Sequence, residues 1–258
     1  MKFWHDVWYL TGRSLRVMIR VPWALIPTVA ISLFFLFVYN GGLSGIAALP
    51  QFGGGSYIDF ILPVAVVSGA VGGAGGAGQS LIRDIESGYL TKVALSPSSR
   101  AAIVLAPMLA GMAQLLAQTM VILVVALTMG LKMSTGAWGY LGILGLTIGW
   151  GLAFAAYSVA IALKSRSGQA AQAATFVFFP LLFLSDTFVP MSLIRAHWMR
   201  ILVRINPTTY VFNGMRSVLV HPIHASAVWD GVWAIGAALL LTLGWAFSST
   251  RKSLQMRT

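Results

Sequence analysis

The sequence predicts an all-α polytopic membrane protein, and three observations carry that reading. Of its 258 residues, 58% are hydrophobic and only 9% are charged, against about 25% charged in an ordinary soluble domain. Too few charges remain to coat a water-facing surface. Mean hydropathy is +0.83, which excludes a disordered chain, because disorder needs low hydrophobicity. The apolar residues also collect in six runs, near the ~20 residues that cross a bilayer as a helix, with most of the charge between them. Six spans with short connections account for the length, so residues 1–258 read as a single transmembrane domain. Cysteine is absent, which excludes disulfides, thiolate metal sites and cysteine nucleophiles.

The first element is not a span. Within residues 1–20, Trp4, Val7, Trp8, Leu15, Met18 and Ile19 recur at helical spacing on one side. Lys2, His5, Asp6, Tyr9, Arg13, Arg16 and Arg20 occupy the other. An amphipathic helix with a basic face suits a membrane interface. A charged leader before the first span is the plainer alternative. The six spans are expected near residues 21–39, 60–82, 101–131, 140–163, 170–189 and 228–247.

Charge sets the expected orientation. Twelve of the 17 Lys and Arg residues fall on the side of the N-terminus; five, Lys132, Arg195, Arg200, Arg204 and Arg216, fall on the other. Basic residues favour the cytoplasmic side, so both termini are expected in the cytoplasm. Residues 186–227 hold four of the five exceptions. There Leu193, Ile194, Trp198, Ile201 and Leu202 alternate with Arg195, Arg200 and Arg204 at helical spacing. The segment is expected to form an outer amphipathic hairpin of one or two short surface helices before the last span, ended by Asn206-Pro207. The alternative places it inside and makes a neighbouring segment re-entrant.

The second span carries a glycine-rich run from Gly69 to Gly78. A phosphate loop would need a Gly-Lys-Ser/Thr ending after a strand, whereas Gln79-Ser80 follows here. Gly69/Gly73 and Gly72/Gly76 instead stand at small-xxx-small spacing, which lets helices approach closely. The alternative is a flexible span that moves during transport. Gln114 and Gln118 lie one turn apart on the third span, as interhelical hydrogen-bonding groups or as pathway lining. Ionisable residues are almost absent from the spans, which argues against a buried proton relay. The histidines show no metal-binding spacing: His221 and His224 are separated by Pro222 and have no carboxylate nearby in sequence, so no metal is expected.

The most informative stretch joins the second and third spans, residues 82–100. Ile85, Tyr89, Val93 and Ala94 can share one side of a short helix, with Asp84, Glu86 and Lys92 elsewhere, and Ser96-Pro97 stops it. A short amphipathic element bearing both charge signs is what docking on a soluble subunit needs; a solvated connection has the same composition.

The motif Glu86-x-Gly88-x-Leu90, followed by Leu95-Ser96-Pro97-x-Ser99-Arg100, resembles the cytoplasmic loop signature of type-2 ABC transporter permeases, the daunorubicin-resistance-like exporter group. Ser185-x-x-Phe188-Val189-Pro190, Trp198, Asn206-Pro207-x-x-Tyr210 and Arg216 are similar to the pattern before that family's last span. Asp186 stands where the family usually has Gly, and His197 where it often has Pro. The resemblance covers nearly the whole chain. It implies six spans in a bacterial cytoplasmic membrane, an N-terminal interfacial helix bearing Trp4, Trp8, Arg13 and Arg16, and a cytoplasmic coupling helix. It implies that Arg83, Asp84, Glu86, Gly88, Leu90, Leu95, Pro97 and Arg100 shape the contact with an ABC ATPase. Two copies of that separate chain would hold ATP and Mg, with no cofactor on this one. A second permease chain, identical or not, would complete the pathway, surrounded by membrane lipid and with no nucleic acid. Substrates are expected to be amphipathic: drugs, lipids, glycolipids or lipid-linked glycans. Arg195, Arg200 and Arg204 are expected at lipid headgroups or an anionic substrate. A lipid-modifying or assembly protein without its own ATP coupling is the alternative; it needs a clustered catalytic set that the sequence does not display. A passive channel would need rings of charge or a carbonyl filter.

Overall fold

The computed structural model describes residues 7–9, 11–13, 16, 26–49, 56–88, 100–220 and 223–255. Every regular element among them is helical. In chain order they are α1 (Ile26–Ala48), α2 (Tyr57–Glu86), α3 (Arg100–Thr128), α4 (Ala137–Ser165), α5 (Gly168–Phe183), a 3-10 turn (Met191–Leu193), α6 (His197–Ile205), α7 (Pro207–Leu219) and α8 (Ala225–Gln255). Residues 7–9, 11–13 and 16 are also helical. Val7 is buried there and Trp8 is exposed.

Among the described residues, five helices are long and apolar enough to cross a membrane: α1, α2, α3, α4 and α8. Their exposed residues include Leu240, Leu241, Val124 and Trp233, a surface that is natural in lipid and a liability in water. The fifth expected span, residues 170–189, is shorter in the structure. Helix α5 has 16 residues, about 24 Å at 1.5 Å per residue, short of the ~30 Å hydrocarbon core. The apolar run continues through Phe188 and Val189, which is why its pattern reads longer. The helix stops because Ser185, Asp186 and Thr187 form a buried polar turn: the Ser185 and Thr187 hydroxyls donate to the Leu182 carbonyl at 2.7 and 2.8 Å. Helix α1 departs the other way and runs on to Ala48 through a π-helical turn at Phe35–Tyr39.

Helix α2 is the centre of the bundle and packs against α1, α3, α4 and α5, while α8 lies on α4 and α7. Its start is capped: the Ser56 N–H donates to Asp59 Oδ2 at 3.4 Å, which satisfies a donor that the helix leaves open. The glycine run explains the central position, because three faces of it admit three neighbours. A β-carbon built on Gly69 would lie 2.9 Å from Ser32 Oγ, and one on Gly72 would clash with Thr28, both on α1. One on Gly73 would lie 3.4 Å from the backbone nitrogen of Leu115 on α3. One on Gly78 would lie 2.6 Å from the Ser158 carbonyl on α4. Ser158 Oγ in turn donates to the Gly75 carbonyl at 2.8 Å. Gly76 differs, with nothing closer than 3.8 Å.

The stretch expected as an outer amphipathic hairpin of one or two surface helices is asymmetric. Helix α6 is amphipathic and largely exposed, with Val203 buried and Trp198, Ile201 and Ile205 outward. Helix α7 is buried along most of its length, from Thr208 to Leu219, against α8, α4 and α2. Asn206 therefore opens α7 as well as following α6. Its Oδ1 accepts the Thr208 N–H at 3.0 Å, and Nδ2 donates to the Leu181 and Leu184 carbonyls at 2.6 and 2.9 Å. Pro207 takes the first helical position, where its missing N–H costs nothing.

Candidate coupling site

At one end of the bundle the chain brings together the last turn of α2, the N-terminal helical residues and the connection from α4 to α5. Arg13 Nη1 donates to Asp84 Oδ1 at 2.7 Å, with the Arg13 side chain about a third exposed and that of Asp84 about a fifth. The two segments singled out separately in the sequence are thus in direct contact across 71 positions. Helix α2 ends at Glu86, and Gly88 adopts φ +69° while its N–H donates to the Ile85 carbonyl at 3.1 Å. A left-handed residue just past a helix end is a position that glycine fills without penalty, which accounts for the Gly in Glu86-x-Gly88. Arg83, Glu86 and Arg16 are exposed. Leu90, Leu95 and Pro97 fall outside the described residues, as does Trp4, and Arg100 opens α3.

Beside Arg83 and Glu86 lies an open cavity of about 670 Å³ between the end of α2 and the start of α5. Arg166 closes α4 in a left-handed conformation, φ 53°, with its N–H on the Ala162 carbonyl at 2.8 Å. Ser167 then caps α5 by accepting the Ala170 N–H at 3.2 Å. A two-residue turn therefore presents Arg166 to the cavity that Arg83 lines from α2. The Gln79 amide donates to the Gln172 amide oxygen across the same space. Arg166 and Gln172 were not singled out by sequence reasoning. Arg166 counted there only toward orientation, and no spacing ties Gln79 to Gln172.

The opposite end is organised by Arg216, expected at the outer surface and found buried on α7. Its Nη1 lies 3.2 Å from Asp186 Oδ2 and donates to Asn213 Oδ1 at 3.2 Å. Nε donates to the Phe60 carbonyl, and Nη2 to the Asp186 and Thr187 carbonyls, each at 3.1 Å. The guanidinium carbon sits 3.6 Å from the Phe60 ring centre, a cation–π geometry. Burial pushes the Arg216 guanidinium below its ordinary value, opposed by the Asp186 carboxylate. One side chain thus ties α2, the turn after α5 and α7 together. The Asp186 departure supplies its counter-ion. Arg195 and Arg200 are exposed on the α6 side, where Arg200 Nε donates to the Ile194 carbonyl at 2.6 Å.

Of the interior candidates, Gln118 is buried and its amide donates to Thr28 Oγ1 on α1. Gln114 is half-buried beside Gly73, its Cγ 3.5 Å from the position of an added β-carbon. Gln118 thus joins α3 to α1.

A helical bundle with a glycine-packed central helix and a charged end of this kind defines a multi-pass membrane protein. Residues 5–220 match the ABC-2 type transporter family, and the chain belongs to that family, as a permease of the daunorubicin-resistance-like group. Its relatives include the probable doxorubicin resistance ABC transporter permease protein DrrC of Mycobacterium tuberculosis, from strains CDC 1551 / Oshkosh and ATCC 25618 / H37Rv. Each is 23% identical over 245 residues, which cover 93% of this chain and 88% of the relative.

Proposed function

We propose that this permease is the membrane-spanning subunit of an ATP-driven exporter that moves an amphipathic substrate out of the cytoplasm or inner leaflet by alternating access. The observation that carries the coupling part is the Arg13–Asp84 contact. It joins the N-terminal helix to the end of α2, so a force applied at the charged end reaches the central helix directly. Two copies of an ABC ATPase dock at that end and hold ATP and Mg, while this chain binds no cofactor. A second permease chain completes the pathway. Closure of the ATPases shifts the bundle between inward- and outward-facing packings, a rigid-body change.

The chain sits in a bacterial cytoplasmic membrane with both termini inside, which needs an even number of crossings. Helix α5 together with the residues that continue its apolar run to Val189 supplies the sixth, and buried α7 shields the polar turn between them. Drugs, lipids, glycolipids and lipid-linked glycans all fit the amphipathic class; the similarity to the mycobacterial probable doxorubicin resistance permeases favours a drug-sized amphiphile. The test is co-purification with the candidate ATPase in lipid, followed by ATP turnover against amphiphilic compounds. Stable association with stimulated turnover is expected. Properly inserted protein that associates with no ATPase would overturn the reading. A Glu86→Ala/Gly88→Val double variant should insert normally and lose most of the coupled turnover, because valine is strained at a positive φ.

A further inference from the structure

The cavity beside the coupling site has an unbalanced lining. Two guanidiniums, Arg83 and Arg166, reach it from different elements, and neither has an ion-pair partner among the described residues. Gln169 and Gln172 add amide donors, and Glu86 is the one carboxylate in the lining. Like charges held at one concavity repel each other, and an anion relieves that repulsion. The Arg166 backbone strengthens the point. Glycine adopts φ 53° at no cost and closes a helix equally well, so the turn itself does not call for arginine.

The cavity also has an apolar side. Phe176 is 61% exposed where it lines the space, and it stacks on Phe179 further along α5 at a ring-centre distance of 5.9 Å. Polar donors at the start of α5 thus give way to aromatic rings within two turns. The volume, about 670 Å³, lies within the ~300–1,000 Å³ of ordinary ligand sites. Arginine forks match phosphate oxygens in paired hydrogen bonds.

We infer that this cavity binds the phosphate-bearing headgroup of an amphiphile, gripped by Arg83 and Arg166, with its chain lying on Phe176 and Phe179. The inference rests on the permease reading above and names the ligand chemistry of its charged end. The headgroup comes either from the bilayer or from the exported cargo.

The experiment measures equilibrium binding to the full-length permease, without an ATPase, in phosphatidylcholine nanodiscs. Dodecyl phosphate and dodecyltrimethylammonium are the probes. The wild type should prefer the phosphate by about tenfold, the scale of one hydrogen bond to a charged group. Arg166→Gly, which suits the left-handed turn, should remove most of that preference, as should Arg83→Ala. Lys132→Ala, at the other end of the bundle, should leave it unchanged. Phe176→Ala should weaken dodecyl phosphate and spare butyl phosphate. Equal binding of both headgroups by the wild type, or full phosphate preference in a well-folded Arg83→Ala/Arg166→Gly variant, would overturn the site.

Two further readings separate the sources. Dodecyl phosphate that stimulates ATP turnover of the reconstituted complex marks cargo. Phospholipid that co-purifies with the wild type and is lost in Arg166→Gly marks a bilayer headgroup. Failure of the ATPase to associate would sink the coupling reading and leave the binding result standing.

Discussion

Arg216 shows how one residue can be misplaced by its surroundings in sequence. It follows three exposed or hairpin arginines, so proximity assigns it to the same surface. Folding instead buries it, and the cost of burying a charge is offset only by a partner and full hydrogen bonding. Asp186 and three carbonyls supply both. The pair is 30 positions apart, and nothing in the pattern around Asp186 announces it. Asp186→Ala should destabilise the protein by about 3 kcal/mol, the lower end for a broken buried pair, because the carbonyl acceptors remain. Asp186→Asn, which keeps an oxygen acceptor, should cost less. Unfolding of the three proteins in the same detergent checks the order.

At the scale of elements, the glycine run was legible as a packing device, but not which glycines matter. Gly69/Gly73 and Gly72/Gly76 stand out by spacing. Gly78, which faces α4, does not, because its partner Ser158 lies on a helix 80 residues away. The distances separate them. Gly78→Ala forces a methyl group to 2.6 Å from a backbone oxygen, so α2 and α4 must move apart. Overpacking of this kind costs about 1–3 kcal/mol. Gly76→Ala meets nothing within 3.8 Å and should stay within about 0.5 kcal/mol, since alanine is the better helix former. Thermal unfolding of the two variants side by side measures the gap. Equal loss in both would mean that the run acts through flexibility instead. The same logic limits the reading of α5. Apolar composition extended it to residue 189, but the buried Ser185–Thr187 turn ends it earlier.

For the whole molecule, the Arg13–Asp84 contact links the N-terminal helical residues to the central helix. Partly exposed, it contributes only about 0.2–1 kcal/mol to stability. Its expected importance is mechanical. Arg13→Asp should leave the unfolding midpoint nearly unchanged and lower ATP turnover of the assembled transporter several-fold. Adding Asp84→Arg should restore part of the turnover by re-forming the pair with its charges exchanged. Turnover assays on the wild type, the single variant and the exchanged pair check this. No recovery in the exchanged pair would show that the contact is not the link.

The number of residues, the sparse charge and the long apolar runs were enough to establish a helical multi-pass membrane protein. The short motifs around Glu86-x-Gly88 and Asn206-Pro207 were enough to point to its family. These features are local, because a membrane span satisfies its own backbone within one segment and a cap acts within one turn. Folding in three dimensions settled which faces of α2 meet which neighbours, and where the apolar run of α5 stops. It also set Asp186 against Arg216, Arg13 against Asp84, and Arg83 beside Arg166. Each of those pairs joins residues 30 to 83 positions apart. No periodicity spans such a distance; only the packing of helices against one another brings the two partners within reach.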